Sequence, residues 1–137
     1  MSDRSGTLGV DLGGDPETVS AKDFEPIPTD GLPERVQAYL SAHRAKDVVT
    51  AAAQFGEGAV VVDDGHAYEG RDEIAAWLGR SSTEYTYTTT LVRAEHAEGD
   101  RYRAIIHLEG DFPGGEVDLC YAFVLSGDAI AELTIEP

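Results

Sequence analysis

Three stretches in the second half of the chain alternate apolar and polar residues with a period of two, and a fourth apolar stretch follows them. Tyr85, Tyr87, Thr89 and Leu91 share one face of the first. Tyr102, Ala104, Ile106 and Leu108 share one face of the second, opposite Arg101, Arg103, Ile105 and His107. Val117, Leu119, Tyr121, Phe123 and Leu125 form the third set, and Ile130, Leu133 and Ile135 the fourth. A period of two is that of a strand with one buried face. Glu98-Gly99-Asp100, Pro113-Gly114-Gly115 and Ser126-Gly127-Asp128 separate the runs. Turn residues between alternating runs predict an antiparallel meander.

The first half carries a helical period instead. Val36, Tyr39, Leu40 and His43 fall at i, i+3, i+4 and i+7, behind Leu32-Pro33, and Pro suits a first helical turn. A second, alanine-rich helix is predicted from Val48 to Phe55, ended by Gly56 and Gly58. The β-branched run Val60-Val61-Val62, ending in Asp63, reads as a buried strand. Asp64-Gly65 is a turn signal, and His66-Ala67-Tyr68 is a short strand returning from it. Gly70 then opens a third helix, with Asp72 and Glu73 in its first turn and Ile74, Trp77 and Leu78 as its apolar face. Helices followed by a meander must cover one face of the sheet. The expected class is α+β: a cone-shaped fold in which a curved antiparallel sheet packs on three helices and encloses a cavity open at one end.

Residues 1–31 lack a sustained period and are rich in Gly, Pro, Asp, Ser and Thr. They read as an extended arm or a disordered tail, with Phe24 and Ile27 able to pin its end to a domain spanning residues 32–137. The 137 residues suffice for one domain with a real core.

Charge narrows the partners. Twenty-six acids against 10 bases leave a formal net charge of −16, and the nearest approach to a basic patch is Arg101 with Arg103. Nucleic acid and anionic membranes are excluded on that ground. No apolar run reaches the roughly 18–20 residues of a membrane span. The N-terminus does not pair a basic region with an apolar one, and Cys120 is the single cysteine. A cytoplasmic location is expected. The four histidines lack metal-ligand spacing, and LGGD at 12–15 and FPGG at 112–115 lack the strand–loop–helix context of a phosphate loop. No metal and no cofactor is expected.

The stretches VQAYLSAHRAKD, AVVVDDG, YEGRDEIAAWL, FPGG and FVLSGDAIAELTI, in that order, resemble the nuclear transport factor 2-like superfamily, and within it the SnoaL-like, polyketide-cyclase-like branch. The resemblance covers residues 32–136. It implies a cone fold and a pocket for a small apolar or carbonyl-containing ligand. The superfamily holds isomerases, cyclases, hydrolases, dehydratases and non-catalytic binding modules, so the fold does not select a reaction.

By the resemblance to ketosteroid isomerases, Asp63 matches the proton-shuttling base and Tyr39 the tyrosine that hydrogen-bonds the substrate oxyanion. An apolar wall tunes a carboxylate for that work. The plainer alternatives are a turn aspartate and a core aromatic. Where those enzymes carry a second acid on a late strand, this chain reads Val117-Asp118-Leu119-Cys120-Tyr121. Tyr121 is nearest that position, and Asp118 has the opposite parity, which puts steroid isomerisation in doubt. Epoxide hydrolysis would need an arginine deep in the pocket, and Arg71, Arg101 and Arg103 are not placed for it. His66, Tyr68 and Trp77 are expected at the mouth, and Tyr85, Tyr87, Tyr121 and Phe123 on the concave face. His66 as a solvated turn residue and Trp77 as core packing are equally open. His43 is expected as a core histidine. The outer sheet face, with Ile105 and His107, is a candidate homodimer surface.

Overall fold

A computed structural model describes residues 23–137. The elements run β1 (Glu25–Ile27), a 3-10 turn (Thr29–Gly31), α1 (Glu34–Arg44), α2 (Val48–Ala52), β2 (Phe55–Asp63), β3 (His66–Glu69), α3 (Gly70–Glu84), β4 (Tyr87–Ala97), β5 (Arg101–Gly110), β6 (Glu116–Ser126) and β7 (Ala129–Glu136). The strands form one sheet in the order β1-β4-β5-β6-β7-β2-β3.

Each helix follows from its local chemistry. Pro33, at φ −56°, precedes α1, which buries Val36, Tyr39 and Ala42. Lys46 adopts φ 59° between α1 and α2, so the chain reverses there without a glycine. Asp47 caps α2 by accepting from Thr50 N at 3.2 Å. At the head of α3, the Glu73 carboxylate accepts from the backbone N–H of Glu69 at 2.9 Å. Ile74, Trp77 and Leu78 are buried from that helix.

The four runs form β4 to β7, hydrogen-bonded in sequence and antiparallel throughout. Their expected inner residues Ala104, Ile106, Leu108, Tyr121, Phe123, Leu125, Ile130, Leu133 and Ile135 are all buried. The core is one cluster between the helices and this face, with Tyr39, Phe55, Phe123, Ile74 and Val61 wholly enclosed.

The structure corrects two details. The sheet is mixed, because β2 pairs with β7 in parallel. An apolar strand pattern carries no sign of direction, and α3 with three strands of meander separates these two. Phe55 opens β2 instead of closing α2, and the pairing register with β7 shifts between Phe55 and Val60, across Gly56 and Gly58. Glu25–Ile27, within the stretch expected as an arm, pairs with Ala94–His96 at the edge of β4. Ile27 packs on the core and the Arg103 guanidinium lies 4.0 Å from the Phe24 ring centroid. Residues 1–22 lie outside the described part of the chain. Among the described residues, no helix is long and apolar enough to cross a membrane.

Candidate functional site

A cavity of about 570 Å³ opens between α3, the end of β2 and the inner face of β4 to β6. Asp63, the last residue of β2, reaches it because the strand alternation that buries Ala59 and Val61 also turns position 63 inward. Trp77 and Ser81 line it from α3, Tyr85 and Tyr87 from the start of β4, and Tyr121 from β6. Apolar walls come from Leu108, Val117, Leu119 and Ile135. Phe112, from the turn after β5, also lines it and meets the Tyr85 ring edge-on at 6.1 Å.

Trp77 Nε1 donates to Asp63 Oδ2 at 3.0 Å. The indole is itself held, since Tyr68 stacks on it at 5.9 Å and the Arg80 guanidinium lies 5.6 Å from the Tyr68 ring centroid. One carboxylate oxygen is therefore oriented by α3. Within the described residues Oδ1 has no hydrogen-bond partner.

Three phenols surround this carboxylate. Burial, and then the nearness of Tyr87 and Asp63, pushes the Tyr121 hydroxyl well above its ordinary range. Tyr87 is raised by burial and by Asp63. Both stay protonated donors at any physiological pH. Tyr39 is fully buried, and its hydroxyl has no hydrogen-bond partner among the described residues. Burial raises its pKa most, followed by the nearness of Tyr121, Tyr87 and Asp63. Tyr39 does not itself line the cavity. Its ring packs edge-on against Phe55 at 5.4 Å and Phe123 at 5.9 Å, one layer behind Tyr121.

Besides Tyr39, three residues expected in the pocket lie elsewhere. His66 is exposed on the edge strand β3, with Nδ1 3.2 Å from the Asp64 carbonyl. Tyr68 backs Trp77 from outside the cavity. Phe123 has the inward parity but is 1% exposed, covered by Tyr39 before it can reach the hollow.

His43 is the lining residue that sequence reasoning assigned to the core. It faces the cavity one helical turn after Tyr39, stacked on that ring at 5.9 Å and edge-on to Tyr121 at 6.1 Å. Burial, then the charge of Lys46, lowers its pKa from 6.5 to about 4, so the imidazole is neutral at pH 7. The signal was its i+4 spacing from Tyr39, which a core histidine shares.

Asp118 points out of the cup. His107 Nδ1 lies 2.6 Å from Asp118 Oδ1, and Nε2 lies 3.0 Å from Glu109 Oε2, on the outer face of the sheet. The late-strand acid is thus absent from the cavity lining. Among the described residues, no group of three or more His, Cys, Asp or Glu side chains is arranged to hold a metal ion.

A cone of helices on a curved sheet, with the Asp63 carboxylate among aromatic rings in its hollow, defines an α+β small-molecule-binding fold. The chain belongs to the SnoaL-like domain family, whose profile matches residues 36–133. A candidate polyketide cyclase from Sinorhizobium meliloti is 27% identical, with a TM-score of 0.74 over 80% of this chain and 100% of that one. A protein of ketosteroid isomerase-like fold from Catenulispora acidiphila, solved in complex with trimethylamine, is 20% identical, with a TM-score of 0.69 over 77% of this chain and 86% of that one. A cystatin-fold protein from Novosphingobium aromaticivorans is 16% identical, with a TM-score of 0.66 over 78% of this chain and 100% of that one. No curated protein matches the sequence.

Proposed function

We propose that the cup binds a small, mostly apolar carbonyl compound and moves a proton next to its carbonyl, without a cofactor. The observation that carries this reading is a single cavity holding the Asp63 carboxylate, with one oxygen held by Trp77 and the other unpartnered, alongside the Tyr121 and Tyr87 hydroxyls. Asp63 takes a proton from the carbon beside the carbonyl. The electron pair of the broken C–H bond moves into an enolate, whose oxygen accepts from Tyr121. The carboxylic acid so formed returns the proton to the same or another carbon. Phenols that stay protonated are suited to that oxygen, and a dry hollow strengthens each contact.

The test is hydrogen–deuterium exchange at the α-carbon of 2-tetralone in D₂O. Exchange faster than with free acetate, falling at least about a hundredfold in Asp63→Asn, supports the proposal. Equal rates for the two proteins overturn it.

A second reading, a non-catalytic ligand-binding module, is favoured by one observation: Asp118 is turned outward onto His107, so no late-strand acid lines the cup. Binding of 2-tetralone that shifts the Trp77 indole resonance without exchange selects it. A homodimer through the outer sheet face is proposed on the half-buried Ile105 and Cys120, which pair across β5 and β6 on that face. Light scattering that gives a monomer mass at micromolar concentration overturns it.

A further inference from the structure

A second cavity, of about 250 Å³, lies in the cleft between α1 and β4. His43 and Tyr121 line both this cleft and the cup, so these two side chains form the wall between them. The chambers differ in charge. The charged side chains of the cup are Asp63 and Asp64, whereas that of the cleft, beside the neutral His43, is Arg44. We propose that the cleft is a second chamber of one site and takes the carboxylate end of an elongated oxo acid whose carbonyl end lies beside Asp63. The placement of the carbonyl end rests on the function proposed above; the placement of the carboxylate does not.

The lining of the cleft points to a carboxylate. Arg44 makes no hydrogen bond or ion pair among the described residues, in a chain with 26 acids. A guanidinium presents a planar fork that matches a carboxylate with two hydrogen bonds. Lys46 lines a smaller neighbouring hollow with His43 and Tyr87, where its Nζ donates to the Ser82 carbonyl at 3.2 Å and lies 4.2 Å from the Tyr87 ring centroid, so Arg44 is the cation left for the ligand. The floor of the cleft, Leu40, Leu91 and Ile106, is apolar and suits the hydrocarbon between the two polar ends.

The junction fits the same ligand. The His43 imidazole is neutral and makes no hydrogen bond within the described residues, so it has both a donor and an acceptor to offer. It adds no charge between the Asp63 and Arg44 ends. The net charge of −16 opposes an anion at long range, but screening over about 8 Å at physiological ionic strength leaves the local cation to decide the contact.

The test compares binding of three probes by fluorescence: 2-naphthol, 6-hydroxy-2-naphthoate, and the homologue of that acid longer by two methylenes. Each carries a hydroxyl for the cup, and none needs proton transfer at carbon. At least one carboxylate should bind about tenfold or more tightly than 2-naphthol. Arg44→Gln should abolish that preference and leave the affinity for 2-naphthol unchanged, and Ser41→Trp, which fills the cleft, should do the same. Carboxylates that bind no more tightly than 2-naphthol, or a preference that survives Arg44→Gln, overturn the proposal. A surviving Arg44-dependent preference without tetralone exchange would keep the second chamber and remove the catalytic reading alone.

Discussion

Trp77 Nε1 and Asp63 Oδ2 stand 3.0 Å apart, a charge-assisted hydrogen bond joining α3 to the end of β2 across the floor of the cup. The bond orients the carboxylate, and the stack of Tyr68 on the indole orients the bond. Trp77→Phe keeps an aromatic ring at the site but removes the donor. We expect a loss of about 1–2 kcal/mol in urea unfolding, together with at least a tenfold slower tetralone exchange. Unaltered exchange would show that the orientation of Asp63 does not matter to the chemistry.

Tyr39 poses the opposite case, a buried hydroxyl with nothing to bond among the described residues. Leaving a hydroxyl without a partner costs roughly 1–3 kcal/mol. Tyr39→Phe removes that cost and keeps the edge-on contacts with Phe55 and Phe123. The variant should be as stable as the parent or more so, by about 1 kcal/mol, in thermal or urea unfolding. A variant that lost stability would mean the hydroxyl has a partner.

What the alternation of residues made legible was the identity of faces, not the direction of strands. In β5 and β6, Ala104, Ile106, Leu108, Tyr121, Phe123 and Leu125 are buried as their parity requires, because a one-residue slip would turn every apolar side chain outward. The parallel pairing of β2 with β7 left no trace, since both strands are apolar in either direction. Phe55 looked helical because it follows an alanine-rich turn, and only its pairing with Ile130 makes it a strand residue. Pro26 and a length of three residues hid β1. In the cup, Trp77, Tyr85, Tyr87 and Tyr121 were placed by their periods, and all four line the cavity with Asp63. Phe112 lies in a turn, where no period operates, and His43 shares its period with the core.

Gly110 shows how tightly the mouth of the cup is closed. It pairs with Tyr87 across β4 and β5. A Cβ at position 110 would lie 2.3 Å from the Thr86 carbonyl oxygen and 2.8 Å from Tyr87 Cα, both backbone atoms that cannot swing aside. Gly110→Ala should therefore cost about 2–3 kcal/mol in urea unfolding, at the upper end of overpacking effects. It should also weaken 2-naphthol binding, because Tyr87 must shift. Gly65→Ala is a useful contrast: its φ of 78° strains a side chain, but no atom lies within 4 Å, so only stability should fall and binding should hold.

The pH dependence of stability should separate the two faces of the sheet. His43 has its pKa lowered by burial from 6.5 to about 4. Between those values the unfolded chain binds a proton that the folded chain refuses, so stability is highest above pH 6.5 and falls as the pH drops toward 4. The full difference is about 3 kcal/mol. On the outer face, the hydrogen bond to Asp118 raises the pKa of His107, with a further one to Glu109. Its contribution has the reverse sign: fully present below the unfolded value of 6.5, and lost as the pH rises through the folded one. Urea unfolding from pH 7.5 to 4.5 should show a net loss toward acid, which His43→Gln flattens and His107→Gln steepens. A parent protein as stable at pH 4.5 as at pH 6.5, or an NMR titration of His43 near 6.5, would place the imidazole in water and out of the wall between the two chambers.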